Sequence, residues 1–142
     1  AFKKSFSQTT YLFDETIEDN LRIAKPDATQ EEIEAACRMA SVHEFILSLP
    51  DAYKTRVGAL GDNLSAGEKQ RIGLARAFLR GSEWILLDEP TSNVDSINEG
   101  IILKALQEQK RKKSILLVSH RESTMAIADR IYRVKDGRMA EI

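Results

Sequence analysis

The chain has 142 residues, of which 42% are hydrophobic and 30% charged, and these proportions exclude disordered and fibrous classes. Its formal net charge of −1 gives no reason to expect nucleic acid or an anionic membrane as a bulk electrostatic partner. No apolar run approaches the ~20 residues that a membrane-spanning helix needs. The single cysteine, Cys37, excludes an internal disulfide and falls within a helical pattern, which predicts a core residue.

A helical region is predicted over residues 14–50. Thr29 with Glu32, and Ser41 with Glu44, have the spacing at which a hydroxyl and a carboxylate each cap the other's backbone N–H. One predicted helical face carries Ile33, Ala36, Cys37 and Ala40. The first half of the chain is therefore predicted to pack as short helices.

The next segment, residues 55–63, contains glycines and is predicted to be a loop. A longer helix should follow, because Ser65 and Glu68 repeat the capping-box spacing. Gly81 predicts where that helix ends.

A strand–helix–strand unit is predicted in the second half. The apolar run at 84–88 is too short for a helix and predicts a buried strand, as does the run at 114–120. Between them, Ser96 with Glu99 predicts the start of a helix that ends in the basic run 110–113. Such a unit implies two parallel strands joined by a right-handed crossover.

The last part of the chain predicts a short helix at 122–129. After it, alternating residues flank Asp136 and Gly137, a dipeptide typical of a two-residue hairpin turn. A β-hairpin is therefore expected at the carboxyl end.

Three chemically active side chains follow the two predicted parallel strands, where ligands of such sheets bind: Asp88, Glu89 and His120. Successive side chains of a strand point to opposite faces, so the two carboxylates can serve different roles. One carboxylate with waters would suit Mg²⁺, and Pro90 ends the strand because it lacks an N–H. A salt-bridged carboxylate pair explains the dipeptide alone equally well.

Taken in order, these motifs resemble those of the nucleotide-binding domain of ATP-binding cassette (ABC) proteins. The sequence WILLDEP at 84–90 resembles the Walker B strand, LSAGE at 64–68 the signature motif, and SNVD at 92–95 the D-loop. His120 matches the switch histidine and Gln8, in FSQTTYLF, the Q-loop glutamine. Essentially the whole chain is covered by the resemblance.

The resemblance implies a role for each matched residue in binding ATP and Mg²⁺. Asp88 would bind Mg²⁺ through water, with Gln8 sensing the same ion, while Glu89 would orient or deprotonate the attacking water and His120 would face the γ-phosphate. The implied ATP contacts are Gln8, Ser65, Ala66, Gly67, Glu68, Ser92 and Asp95. Ser65 would be a helix cap in either case, since a cap hydroxyl can also face a phosphate.

The fold that the resemblance implies is α/β, a partial P-loop NTPase (RecA-like) parallel sheet with an inserted α-helical subdomain. Residues 1–13 would hold the Q-loop and the end of a core strand, 14–80 the α-helical signature subdomain, and 81–142 the C-terminal part of the ATPase core with Walker B, D-loop and H-loop. The implied partners are transmembrane domains and a second nucleotide-binding domain arranged head to tail, at the cytoplasmic face of the cell membrane, with no nucleic acid. TRVGALG resembles an exporter-type loop, with Ala59 in place of the usual glutamate.

One expected motif is missing. A phosphate-binding G-x-x-x-x-G-K-[ST] loop requires a Gly-Lys pair, and no glycine here precedes lysine. By resemblance the chain begins just upstream of the Q-loop, and we expect that it neither binds ATP tightly nor hydrolyses it alone. Ala66 replaces the usual glycine and Glu68 the commoner glutamine, so ordinary φ values are expected at Ala66.

Two alternatives remain open at this level. A soluble ABC ATPase of the DNA-repair or chromosome-structure kind would suit the GEK of the signature motif, although the segment between Gln8 and Ser65 has no long coiled-coil insertion. A catalytically silent regulatory module would explain the missing loop. Intact Asp88, Glu89 and His120 argue against that second alternative.

Overall fold

The computed structural model describes residues 11–142, and Gln8 lies outside this part of the chain. Within residues 11–142 the helices are α1 Ile17–Arg22, α2 Gln30–Met39, α3 His43–Ser48, α4 Val57–Leu60, α5 Ala66–Leu79, α6 Ser96–Gln109 and α7 Glu122–Met125. The strands described there are β1 Trp84–Asp88, β2 Ser114–Val118, β3 Tyr132–Lys135 and β4 Arg138–Glu141. None of the helices in this range is long and apolar enough to cross a bilayer.

Two of the predicted capping boxes are confirmed. The Thr29 hydroxyl accepts the N–H of Glu32 and the Glu32 carboxylate accepts the N–H of Thr29, which starts α2. Ser65 and Glu68 form the same reciprocal pair at α5, with distances of 3.2 and 2.6 Å. Ala66 is the first helical residue of α5 and is not among the positive-φ residues, as expected.

The predicted cap at Ser41 is wrong. Helix α3 begins at His43 after Val42, with no side-chain cap. Ser41 instead has φ 57° and donates its N–H to the carbonyl of Arg38, while Val42 donates to that of Cys37. These two bonds form the left-handed Schellman ending of α2, so Ser41 completes one helix rather than starting the next.

The predicted loop at 55–63 is also different, because it folds into α4 and a 3₁₀ turn at Gly61–Asn63. The Asp14 carboxylate accepts the N–H of Gly58 at 3.0 Å, and Arg56 donates to the carbonyl of Asp14 at 2.6 Å. These contacts with a distant segment override the low helix propensity of glycine.

Within residues 11–142, one hydrophobic cluster contains side chains of helices α1 to α6 and of strand β1. Its fully buried large side chains include Ile17, Leu21, Ile33, Ile46, Ile72, Ile102 and Leu106. The predicted α2 face is buried throughout, and Ile85 of β1 joins the same cluster. Burial of this apolar area is the main stabilising contribution to the fold.

β1 and β2 pair in parallel, with Trp84 beside Ser114 and Asp88 beside Val118, and α6 connects them, as predicted. Their predicted full burial is wrong. Ile85, Leu87, Ile115 and Leu117 pack on the core, whereas Trp84, Leu116 and Val118 on the other face are 72%, 53% and 50% exposed. Helices of the described part cover one face only, and an apolar run does not reveal how many faces are covered.

The predicted hairpin is confirmed. β3 and β4 pair antiparallel, and Asp136 and Gly137 between them have φ values of 50° and 72°. Two consecutive positive φ values are typical of the tight hairpin turn that matches strand twist. α7 is shorter than the predicted 122–129 helix.

A partly buried polar network joins the segment before α1 to α5. Arg76 of α5 donates to the Asn20 carbonyl at 2.9 Å, to the Asn20 side-chain oxygen at 2.8 Å and to the Tyr11 carbonyl at 2.7 Å. Asn20 is fully buried and donates in turn to the Phe13 carbonyl at 3.0 Å. Burial lowers the pKa of Arg76 below its usual value. Because Arg76 and Asn20 bond to the backbone carbonyls of Tyr11 and Phe13, this network determines where residues 11–13 lie on α5.

Cys37 is expected to resist alkylation in the folded protein. It is fully buried, and burial raises its pKa to about 11, so roughly one molecule in a thousand carries the thiolate at pH 8. Mass spectrometry after iodoacetamide treatment at pH 8 should find Cys37 unmodified in native protein and modified in urea. Rapid modification of the native protein would contradict the burial described here.

Candidate nucleotide-binding and hydrolysis site

The site lies where β1 and β2 end. Glu89 continues the β1 ladder by donating its N–H to the Val118 carbonyl at 2.8 Å, and then turns away with φ 47°. That left-handed conformation costs a non-glycine residue about 1–2 kcal/mol, so the surrounding contacts must hold it. Glu89 is buried, at 9% exposure, whereas Asp88 is half-buried.

The structure brings the two predicted catalytic residues together. His120 Nδ1 lies 2.6 Å from Glu89 Oε1, and the Ser119 hydroxyl donates to Glu89 Oε2 at 3.4 Å. Because a carboxylate only accepts, the Nδ1 of His120 carries the proton in this contact. The His120 side chain is 85% exposed, which leaves Nε2 available to a bound ligand.

Asp88 fits a hydrated cation. Its carboxylate has no hydrogen bond or ion pair with residues 11–142, and it is half-buried on the open face of the strand pair. The described residues contain no group of three or more His, Cys, Asp or Glu that could hold a metal ion by itself. A single carboxylate supplemented by water and ligand oxygens is an arrangement that Mg²⁺ accepts.

The loop after Glu89 leads directly into α6. Ser92 donates its N–H to the Glu89 carbonyl at 3.0 Å, and Asn93 has φ 60°. The predicted cap at Ser96 is wrong, because Asp95 is the cap and Ser96 is the first helical residue.

Both Asp95 oxygens are engaged at the start of α6. Oδ1 accepts the backbone N–H of Asn98 and Oδ2 accepts its side-chain amide, each at 2.8 Å. Both bonds lower the pKa of Asp95, and the bond from the backbone N–H of Asn98 has the larger effect. The carboxylate is preferred over a neighbouring hydroxyl because a charged acceptor at a helix N-terminus also benefits from the helix dipole.

The predicted ATP contacts at 65–68 form the cap and first turn of α5, a helix of 14 residues. Unpaired backbone N–H groups and the positive end of the helix dipole favour an anion there. The Glu68 carboxylate is occupied by the N–H of Ser65. This end of α5 is therefore suited to a phosphate through backbone groups and the Ser65 hydroxyl.

Gly67 is where the first turn of α5 touches α6. A Cβ atom placed on Gly67 would lie 2.3 Å from Cγ and 2.7 Å from Cβ of Asn98, the residue that Asp95 holds. The predicted residues thus form two groups, one around Glu89 and His120 and the other joining Gly67 to Asp95. Sequence reasoning missed Asn98, whose position three residues after Asp95 is typical of an N3 residue facing its cap.

Arg121, directly after His120, is a second residue that the motifs did not indicate. Its guanidinium Nη1 donates to the Thr91 carbonyl at 2.5 Å and lies 2.6 Å from Glu99 Oε2. It therefore joins the loop after β2 to both the loop after β1 and α6.

Comparison with known proteins identifies the family of the chain. The ABC transporter family model matches residues 3–92, and the chain belongs to that family. A Haemophilus influenzae protein named "Probable ABC transporter ATP-binding/permease protein" is 60% identical over 134 residues, which cover 94% of this chain and 24% of that protein. The resemblance inferred from the motifs is confirmed.

Other relatives carry export in their names. YgaD of Bacillus subtilis, named as a multidrug export ATP-binding/permease protein, is 46% identical over 95% of this chain and 23% of its own length. Multidrug resistance protein pgp-1 of Caenorhabditis elegans is 43% identical over 96% of this chain and 10% of its own length. The chain thus spans a quarter or less of these relatives.

Proposed function

We propose that the chain supplies the hydrolytic half of an ATP site in an exporter-type ABC transporter. The observation that carries the proposal is the contact of Glu89 with His120 at the carboxyl ends of two parallel strands, next to Asp88, whose carboxylate has no partner among residues 11–142. In this assignment residues 1–13 form the Q-loop region, 14–80 the α-helical signature subdomain, and 81–142 part of the RecA-like core.

The proposed chemistry is attack of water on the γ-phosphate of ATP, which forms a bond between the water oxygen and the γ-phosphorus and breaks the bond from that phosphorus to the bridging oxygen, so that ADP and phosphate are released. Glu89 accepts a hydrogen bond from the water and takes its proton, while His120 donates through Nδ1 to the Glu89 carboxylate. For Nε2 to donate to a γ-phosphate oxygen at the same time, His120 acts as the imidazolium, because only that form has a donor on both ring nitrogens. Asp88 would hold Mg²⁺ through water together with Gln8, which lies outside the described residues, and the ion would supply positive charge that offsets the charge of the phosphate oxygens.

The first turn of α5 would contact ATP bound to a second copy of the domain, arranged head to tail. Ser65, Ala66, Gly67 and Glu68 supply the anion-binding end of that helix, and Ser92 and Asp95 complete the interface. The support is the close approach of Gly67 to Asn98, whose backbone N–H and side-chain amide both bond to Asp95. Binding of ATP between two such units would bring both segments to the phosphates.

Transmembrane domains at the cytoplasmic face of the membrane are the proposed partners, in keeping with the ATP-binding/permease names of the relatives. The basic run at 110–113 offers little support for a DNA-repair alternative. Lys110 donates to the carbonyl of Ile127 and pairs with Asp129, and Lys113 donates to the carbonyl of Ser82. Two of its four cations therefore have partners within the chain.

Replacing Asp88 with asparagine is expected to raise the Mg²⁺ concentration needed for ATP hydrolysis by about tenfold or more, because the change removes the charge that attracts the cation. Phosphate release should be measured against Mg²⁺ concentration in the full native protein that carries this chain. Asp136→Asn, in the exposed hairpin turn, is the matched control. An unchanged Mg²⁺ dependence would contradict the assignment.

The chain by itself is proposed to be inactive, since none of its glycines precedes lysine and the phosphate-binding loop is thereby missing. Isothermal calorimetry and phosphate release on the 142 residues should show neither micromolar ATP binding nor hydrolysis. Mg²⁺-dependent turnover by the isolated chain would exclude this proposal.

A further inference from the structure

Arg121 makes contacts that the proposed chemistry does not use directly. Its side chain is 35% exposed, whereas both of its partners are enclosed: Thr91 is fully buried and the Glu99 side chain is 12% exposed. Nη1 lies 2.5 Å from the carbonyl oxygen of Thr91 and 2.6 Å from Oε2 of Glu99. One guanidinium in the loop after β2 therefore contacts both the loop after β1 and helix α6.

The Glu99 oxygen depends on this contact. Oε2 of Glu99 is buried, and within residues 11–142 the ion pair with Arg121 is its only interaction. An enclosed carboxylate without a cation is strongly unfavourable, so the pair holds Arg121 in place. A planar guanidinium with several donors can serve a carboxylate and a carbonyl together, which an ammonium group does less well.

Both sides of the catalytic contact are restrained by Arg121. On one side, Thr91 lies in the turn that the Ser92 N–H closes onto the Glu89 carbonyl, and Glu89 at the start of this turn has φ 47°. On the other side, the backbone N–H of Arg121 donates at 3.1 Å to the Ser119 hydroxyl, which contacts Glu89 Oε2. Arg121, in the loop after β2, therefore contacts both the turn that follows Glu89 and the hydroxyl that contacts the Glu89 carboxylate.

We propose that Arg121 is a positioning residue for hydrolysis, which holds Glu89 and His120 in register without touching the substrate. This inference rests on the proposed ATPase function. Without the guanidinium, the turn after β1 can relax toward ordinary φ values, and the Glu89 carboxylate moves relative to the water it activates. Misplacement by about 1 Å can lower a rate ~100-fold.

The test uses Arg121→Ala and Arg121→Lys in the full native protein that carries this chain. We expect Arg121→Ala to lower kcat by ~10- to 100-fold with the KM for ATP changed less than about twofold, because ATP contacts are untouched. Arg121→Lys should recover only part of kcat, since an ammonium keeps the charge opposite Glu99 but lacks the rigid planar geometry that directs Nη1 to the Thr91 carbonyl. Arg111→Ala, an exposed arginine of the basic run, should match the wild type.

Thermal unfolding and nuclear magnetic resonance separate positioning from folding. The imidazole resonances of His120, identified with His120→Gln, should shift in Arg121→Ala and stay fixed in Arg111→Ala, a readout that needs no turnover. If Arg121→Ala does not fold, kcat, KM and the His120 resonances are measured on Arg121→Lys and Glu99→Gln instead. Glu99→Gln keeps the side-chain size and removes the ion pair.

Loss of kcat at constant KM, with partial recovery by lysine and shifted His120 resonances, supports the inference. Wild-type kcat in Arg121→Ala, full recovery by lysine, or unmoved His120 resonances would overturn it. A lowered melting temperature with unchanged kcat per folded molecule would also overturn it, since that result describes a structural role only. Absence of ATP hydrolysis by the wild-type protein would contradict the proposed function. The His120 resonances would still test whether Arg121 positions His120, because that comparison needs no turnover.

Discussion

Replacing Glu89 with glutamine is expected to lower the rate of ATP hydrolysis ~10²- to 10⁴-fold while ATP binding is retained, because an amide does not accept the proton of the attacking water. The side-chain size is unchanged, so the turn after β1 and the contact with His120 should survive. Phosphate release and nucleotide binding should be measured separately on the full native protein that carries this chain.

A matched control for this variant is Glu108→Gln, which removes a carboxylate from the exposed side of α6. It should hydrolyse ATP at the wild-type rate. Turnover by Glu89→Gln within a few fold of the wild type would show that another group activates the water.

Gly67→Ala should destabilise the protein, against the usual effect of this substitution in a helix. The new methyl group would lie 2.7 Å from the Cβ of Asn98, and a side-chain rotation cannot move that atom away. We expect the free energy of unfolding to fall by about 1–3 kcal/mol, as for other overpacked sites. Denaturation in urea measures the change, and ATP hydrolysis should fall with it because the signature turn is displaced.

Gly100→Ala provides the control of opposite sign. Gly100 lies within α6, and a Cβ there meets nothing within 4 Å, so alanine should stabilise by about 0.5–1 kcal/mol. Asn98→Gly in the Gly67→Ala background should recover stability, since it removes the atoms in conflict. Stabilisation by Gly67→Ala itself would show that α5 and α6 do not meet as described.

The helix caps show how far sequence alone predicts local structure. Thr29 and Ser65 were predicted correctly because a capping box involves only residues three apart. Ser41 has the same spacing to Glu44, yet it ends α2, and Asp95 displaces Ser96 as the cap of α6. Where two neighbouring residues can each serve, the path of the preceding chain decides between them.

The strand pair gives the same lesson for burial. The apolar runs predicted both strands, their parallel pairing and the placement of Glu89 and His120 at one edge. They did not predict that Trp84 is 72% exposed. Side-chain parity says which residues share a face, but only the packed helices determine which face is covered.

The sequence by itself identified the family and indicated Asp88, Glu89 and His120 as candidate site residues, because both inferences depend on short contiguous patterns. Only the tertiary structure assigned Arg121 to Thr91 and Arg76 to Asn20, partners that are 30 and 56 residues apart along the chain. The physical reason is that a cap or strand pattern is fixed by local backbone bonding. A guanidinium instead binds whichever carbonyl or carboxylate packing brings within about 3 Å.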